Sequence, residues 1–114
     1  MKLNWRESMG LAESHLITET FIGEQNLLVA IEVAKPLQAL LSAANQDGLS
    51  IRVVSGFRSF DQQLTIWNEK WQGFRPVYSR HGRPLNVLNL SDIEKYKAIS
   101  LWSALPGYSR HHWG

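Results

Sequence analysis

Cysteine is missing from this 114-residue chain. Its absence excludes disulfide bridges and thiolate metal ligands together, so any metal would have to be held by imidazole and carboxylate groups. Long apolar runs are missing as well. Residues 1–21 are interrupted by Asn4, Arg6, Glu7, Glu13 and Glu19, which leaves no apolar core of signal-peptide length. Nowhere is there the stretch of about 20 apolar residues that a membrane helix needs. A cytoplasmic location is the default expectation, or the periplasm or cell envelope if a signal has been removed. Charge of one sign is scarce, the formal net charge being only +2, and so small a surplus argues for no nucleic-acid partner. The sequence also lacks a glycine-rich phosphate loop, a Gly-x-Ser-x-Gly elbow, a His-Glu-x-x-His helix and any carboxylate pair spaced for glycosidase chemistry.

What is present is the composition of an ordinary globular protein, 44% hydrophobic and 19% charged. A chain of this length buries roughly 65% of its unfolded surface. One domain over residues 1–114 is expected, with 1–25 as an irregular arm or a short helix followed by a strand. Apolar residues at 27, 28, 31, 34, 37, 40, 41 and 44 keep near-helical spacing. Proline is best tolerated in a first helical turn, so Pro36 places the helix start near Lys35, with a separate helical turn before it as an option, and the end before Asp47-Gly48. Residues 49–54, short, β-branched and bounded by Gly48 and Gly56, read as a buried strand.

Ser59 with Gln62 forms a capping box that opens a helix carrying Leu64, Trp67 and Trp71 on one stripe and ending near Gly73. The polar, basic stretch 74–89 reads as loop or hairpin; its Arg75, Arg80, His81 and Arg83 suit a solvated loop or an anionic partner. Ser91 with Glu94 is a second capping box, after which Ile93, Tyr96, Ile99 and Trp102 recur every three residues up to the stop at Leu105-Pro106-Gly107. The few strands among several helices indicate an α+β fold rather than a doubly wound sheet.

Two segments carry the chemistry. Arg58, in Ser55-Gly56-Phe57-Arg58-Ser59-Phe60-Asp61-Gln62-Gln63, falls at a strand-to-helix junction, a rigid place from which a planar guanidinium can meet a carboxylate or oxyanion. Its bland alternative is an ion pair with a nearby acid such as Asp61. The second segment is Pro106-Gly107-Tyr108-Ser109-Arg110-His111-His112-Trp113-Gly114. His15 and His81 show no partner pattern, and Trp67, Trp71 and Trp102 read as core rather than as a sugar-stacking platform.

Together these segments resemble the VanY-type zinc D-alanyl-D-alanine carboxypeptidases, in which a strand runs into Ser-Gly-Tyr-Arg-Ser, a Gln follows as Gln63 does here, and Pro-Gly-x-Ser-x-His-x-x-Gly comes later. Phe57 replaces the Tyr. The resemblance covers residues 30–114 and implies the hedgehog/DD-peptidase fold, an α+β domain with helices packed on a small antiparallel sheet, incomplete at its C-terminal side. It implies a zinc enzyme that removes the terminal D-amino acid from peptidoglycan peptides, with His111 as the first zinc ligand. Arg58 would contact the substrate's acyl carbonyl or terminal carboxylate and stabilise developing charge, while Gln63 and Ser109 hold the peptide.

His112, next to the ligand on an extended segment, would face the other way as a supporting or packing residue. The family's later Asp, Trp-His pair and Glu have no counterpart here, so these residues alone are expected to be inactive, and to associate as a homodimer or swapped dimer through the uncovered side. The competing reading is a non-catalytic domain that binds peptidoglycan peptides.

Overall fold

The computed structural model describes residues 2–21 and 25–114. Its first element, α1 (Trp5–Ser8), is one turn closed by a reciprocal cap: the Asn4 side chain accepts from the Glu7 amide at 3.0 Å, and the Glu7 carboxylate accepts from the Asn4 amide at 2.9 Å. β1 (Leu16–Phe21) and β2 (Gln25–Ala30) then pair antiparallel, with Leu16 opposite Ala30 and Thr18 opposite Leu28. β2 runs directly into α2 (Ile31–Gln46).

Two expectations fail here for one reason. The apolar run 27–30 fits strand and helix periods alike, and pairing with β1 makes it strand. The helix consequently begins at Ile31, not near Lys35, and Pro36 lies inside it. An interior proline forfeits a backbone bond; packing of Ala34, Leu37 and Leu41 with Val29 offsets that loss.

Residues 49–54 carry no regular secondary structure, join no sheet among the described residues and are mostly exposed, contrary to the buried strand expected there. Strand propensity describes the side chains, whereas a strand also needs a partner. Val54 is 97% exposed. Beyond it, the Phe57 amide donates to the Leu28 carbonyl of the hairpin at 2.8 Å.

The capping boxes form as expected. Ser59 and Gln62 open α3 (Phe60–Trp71), and Ser91 and Glu94 open α4 (Asp92–Ser100). Between these helices residues 74–89 contain a hairpin of β3 (Val77–Tyr78) with β4 (Pro84–Leu85) and a 3-10 turn, Val87–Asn89. α4 is too short to bury a full stripe, and only its Ala98 and Ile99 enter the core with Trp67, Val77 and Val87. Ile93, Tyr96 and Trp102 remain exposed, and Trp102, past the helix end, hangs by its indole N–H on the Ser79 carbonyl at 3.1 Å. Leu64 is also exposed.

A second, separate core holds Val29, Ala34 and Leu41. With two small cores the molecule is flat, 50 × 35 × 19 Å, with a radius of gyration of 17.0 Å, against about 13 Å for a compact chain of this length. Among the described residues no helix is long and apolar enough to cross a membrane.

Candidate active site

The site is built where the loop before α3 meets the end of the chain. Arg58 immediately precedes Ser59, whose hydroxyl accepts from the Gln62 amide at 3.1 Å and whose amide donates to the Gln62 side chain at 2.9 Å. That reciprocal cap fixes the direction in which the chain enters the helix. The terminal segment grips the same residue from the other side. The Arg58 amide donates to the His111 carbonyl at 2.8 Å, and the His112 Nδ1–H donates to the Arg58 carbonyl at 2.6 Å.

His111 therefore does not enter a strand. It lies in a 3-10 turn, Arg110–Trp113, capped by the Ser109 hydroxyl, which accepts from the His111 amide at 3.2 Å. The turn separates the two neighbouring imidazoles: His111 is exposed, whereas His112 is wholly buried. The His112 ring spends both nitrogens. Nδ1 must carry the proton, because its partner is a carbonyl, and Nε2 accepts from the Gly107 amide at 3.1 Å. The His112 carbonyl in turn accepts from His15 Nε2 at 3.1 Å. Gly10 closes the packing, since at its φ of 76° a Cβ would stand 2.5 Å from His112 Nδ1 and 2.7 Å from the Phe60 amide nitrogen.

Arg58 does not pair with Asp61. Its Nη1 donates to Gln63 Oε1 at 3.0 Å, and Gln63, only 2% exposed, donates its own amide to the Ala104 carbonyl at 2.7 Å. Gln63 is thus a buried strut between α3 and the loop after α4, holding the guanidinium by one corner. Nε and Nη2 of Arg58 make no hydrogen bond among the described residues. Ser109 is buried too, at 5% exposure.

Arg58 lines an open hollow of about 400 Å³ with Ser55, Gly56, Gln62 and Arg75. His111 lines a neighbouring, more apolar one of about 320 Å³ with Val29, Val33, Leu37 and Gly114. Ser55 and Gly56 are walls of both. The four residues expected at the site are therefore brought together, two at the surface and two behind them.

The model of the family described as VanY, D-alanyl-D-alanine carboxypeptidase, matches residues 26–114. The chain belongs to the VanY family. An uncharacterized protein of Haemophilus influenzae is 33% identical over 105 residues, spanning 92% of this chain and 72% of the relative. Two solved VanY structures match it in fold. One is a glutamate-to-alanine variant of a vancomycin-resistance D,D-pentapeptidase in complex with Zn(II), at 24% identity and a TM-score of 0.59, covering 90% of this chain and 51% of that one. The other is VanYB in complex with D-alanine-D-alanine, at 26% identity and the same TM-score of 0.59, covering 90% and 50%. The chain spans about half the length of the solved VanY proteins it matches.

VanY is a zinc family, and a zinc site takes three protein donors or more. The described residues do not supply them. No three His, Cys, Asp or Glu side chains are gathered among them. The His112 ring spends both nitrogens on backbone partners, and His15 is buried with its Nε2 on the His112 carbonyl, which leaves His111 as the single exposed imidazole of this cluster. The residues present therefore do not fit a complete zinc site.

Sequence reasoning assigned Arg58, Gln63, Ser109 and His111 from motif spacing but left out two residues of this region. His15 supports the His112 carbonyl, and Arg75 faces the same hollow as Arg58. No local signal marks His15, and the basic stretch 74–89 offers Arg75 as one of several cations without tying it to Arg58, because tertiary packing brings each into this region.

Proposed function

We propose that this chain carries the peptide-recognition portion of a D-alanyl-D-alanine carboxypeptidase, reading the D-amino-acid end of peptidoglycan peptides. The observation that carries the reading is the state of Arg58. Its backbone is clamped at N–H and C=O by the segment that bears His111, and its guanidinium is braced by Gln63 with two nitrogens left for a ligand. A planar fork held in this way suits a terminal carboxylate, which accepts two parallel hydrogen bonds. Gln63 and Ser109 act from behind, Gln63 by orienting the guanidinium and Ser109 by shaping the turn that exposes His111. The likeness to VanYB in complex with D-alanine-D-alanine supports the same ligand here. His111 is the one donor in this region that could face a metal. The hydrolytic step belongs to the protein that completes the metal site.

The lack of a three-donor group among the described residues favours a second reading, a binding domain without turnover. Calorimetry with N-acetyl-D-alanyl-D-alanine, the L,L dipeptide as control, and release of D-alanine by the full-length protein separate them. The first reading expects D,D-selective binding weakened about 30-fold by Arg58→Gln, the loss of a charge-assisted contact of about 2 kcal/mol, together with D-alanine release. Selective binding without release supports the second. Binding that ignores stereochemistry and Arg58 contradicts both.

A further inference from the structure

Arg75 stands outside every motif, yet it lines the same hollow as Arg58. α3 ends at Trp71, and the chain folds back so that the Phe74 and Arg75 amides both donate to the Glu69 carbonyl, at 2.8 and 3.2 Å. The Arg75 side chain then pairs with Glu69 through Nε at 2.7 Å. That pair is solvent-exposed, at 46% and 37%, and it leaves the two terminal nitrogens of Arg75 without a hydrogen bond among the described residues.

The local charge is lopsided. Lys70, hydrogen-bonded to the Ser103 hydroxyl, has its ammonium pKa lowered by burial and by the fields of Arg75 and Arg58. Arg58 and Arg75 line one hollow, Lys70 is near enough for both to lower its pKa, and Glu69 is the carboxylate bonded to any of the three among the described residues. Like charges held together repel, and an anion that enters between them is favoured by each. A ligand with one carboxylate satisfies Arg58 and leaves Arg75 facing the hollow.

We infer that the hollow between Arg58 and Arg75 takes a doubly anionic peptide, its terminal carboxylate on Arg58 and a second, side-chain carboxylate on Arg75. This deepens the reading of Arg58 as the terminal-carboxylate receptor and rests on it. Arg75 is then a specificity residue, selecting D-alanyl-D-alanine peptides that carry an acidic residue near the D,D end. A volume of about 400 Å³ falls in the range of small-ligand sites.

The test compares N-acetyl-Glu-D-Ala-D-Ala with its uncharged isostere N-acetyl-Gln-D-Ala-D-Ala, by calorimetry at low salt, on the wild-type protein and on Arg75→Gln and Arg58→Gln. The glutamyl peptide is expected to bind about fivefold tighter to the wild type, the value of a solvent-facing ion pair near the upper end of its range. Added salt should shrink that preference, and Arg75→Gln should abolish it without weakening the glutaminyl peptide. Equal affinities for the wild type, or a preference that survives Arg75→Gln, overturn the inference. In that event, glutaminyl-peptide binding that Arg58→Gln removes leaves the Arg58 reading standing. If neither peptide binds, both fall.

Discussion

Replacing His112 by alanine isolates the bond that joins the two halves of the site. The imidazole is 0% exposed and bridges the Arg58 carbonyl at 2.6 Å to the Gly107 amide at 3.1 Å. Truncation leaves both groups buried without a partner, at about 1–3 kcal/mol each, and opens a cavity with a further cost of its own. Because Gly10 packs against Nδ1, part of that cavity can be filled by relaxation or water, so the expected loss is about 3–5 kcal/mol in all. That is a large share of the 5–15 kcal/mol typical of a domain.

Urea unfolding followed by tryptophan fluorescence measures the loss as a shift in midpoint at constant slope. His112→Phe fills the space with a somewhat larger ring that makes neither hydrogen bond, so it leaves no cavity and should retain the polar part of the penalty. A loss below about 1 kcal/mol for His112→Ala, the level of an ordinary surface substitution, would refute the view that this ring holds the loop and the turn together.

Two other outcomes follow from the same contacts. The Glu7 carboxyl is held below its ordinary 4.5 by hydrogen bonds from the Ser14 hydroxyl at 2.6 Å and the Asn4 amide at 2.9 Å, against an opposing effect of burial and with a small contribution from His15. The unfolded chain therefore binds the extra proton first, so this carboxylate stabilises the fold above about pH 4.5 and the stabilisation is lost as pH falls through the folded value. Glu7→Gln should lower stability at neutral pH and flatten its dependence on pH in the acid range; an unchanged acid profile in urea melts would contradict this. For zinc, the lack of three gathered donor side chains among the described residues predicts that these 114 residues, dialysed and analysed by mass spectrometry, keep far less than one equivalent. A full equivalent retained would show donors that the geometry does not bring together.

What could be read from the sequence was what is decided within a few residues. The caps at Ser59 and Ser91 close over three residues, so the starts of α3 and α4 were legible. Motif spacing placed Arg58 and His111 in one site, and the two meet through a backbone bond of 2.8 Å. That His112 would face away from His111 as a packing residue was expected from strand alternation, but the 3-10 turn produces the separation by a different geometry. Where the outcome depended on distant partners, local reading failed. Residues 49–54 have strand composition without a sheet to join among the described residues. Pro36 sits inside α2 because packing on Val29 outweighs a local preference. Trp102 reads as core but lies past the end of a nine-residue helix and stays exposed. Arg75 enters the Arg58 hollow by a chain reversal that no motif records.

The central claim is that the Arg58 loop and the His111 turn act as one receptor for a D-alanyl-D-alanine end. Its most direct test is an amide-resolved NMR titration of the protein with N-acetyl-D-alanyl-D-alanine. The account predicts that the Arg58 and His111 amide signals move together along one binding curve, and that Arg58→Gln removes both movements. Shifts at Arg58 alone, at His111 alone, or at neither would contradict it.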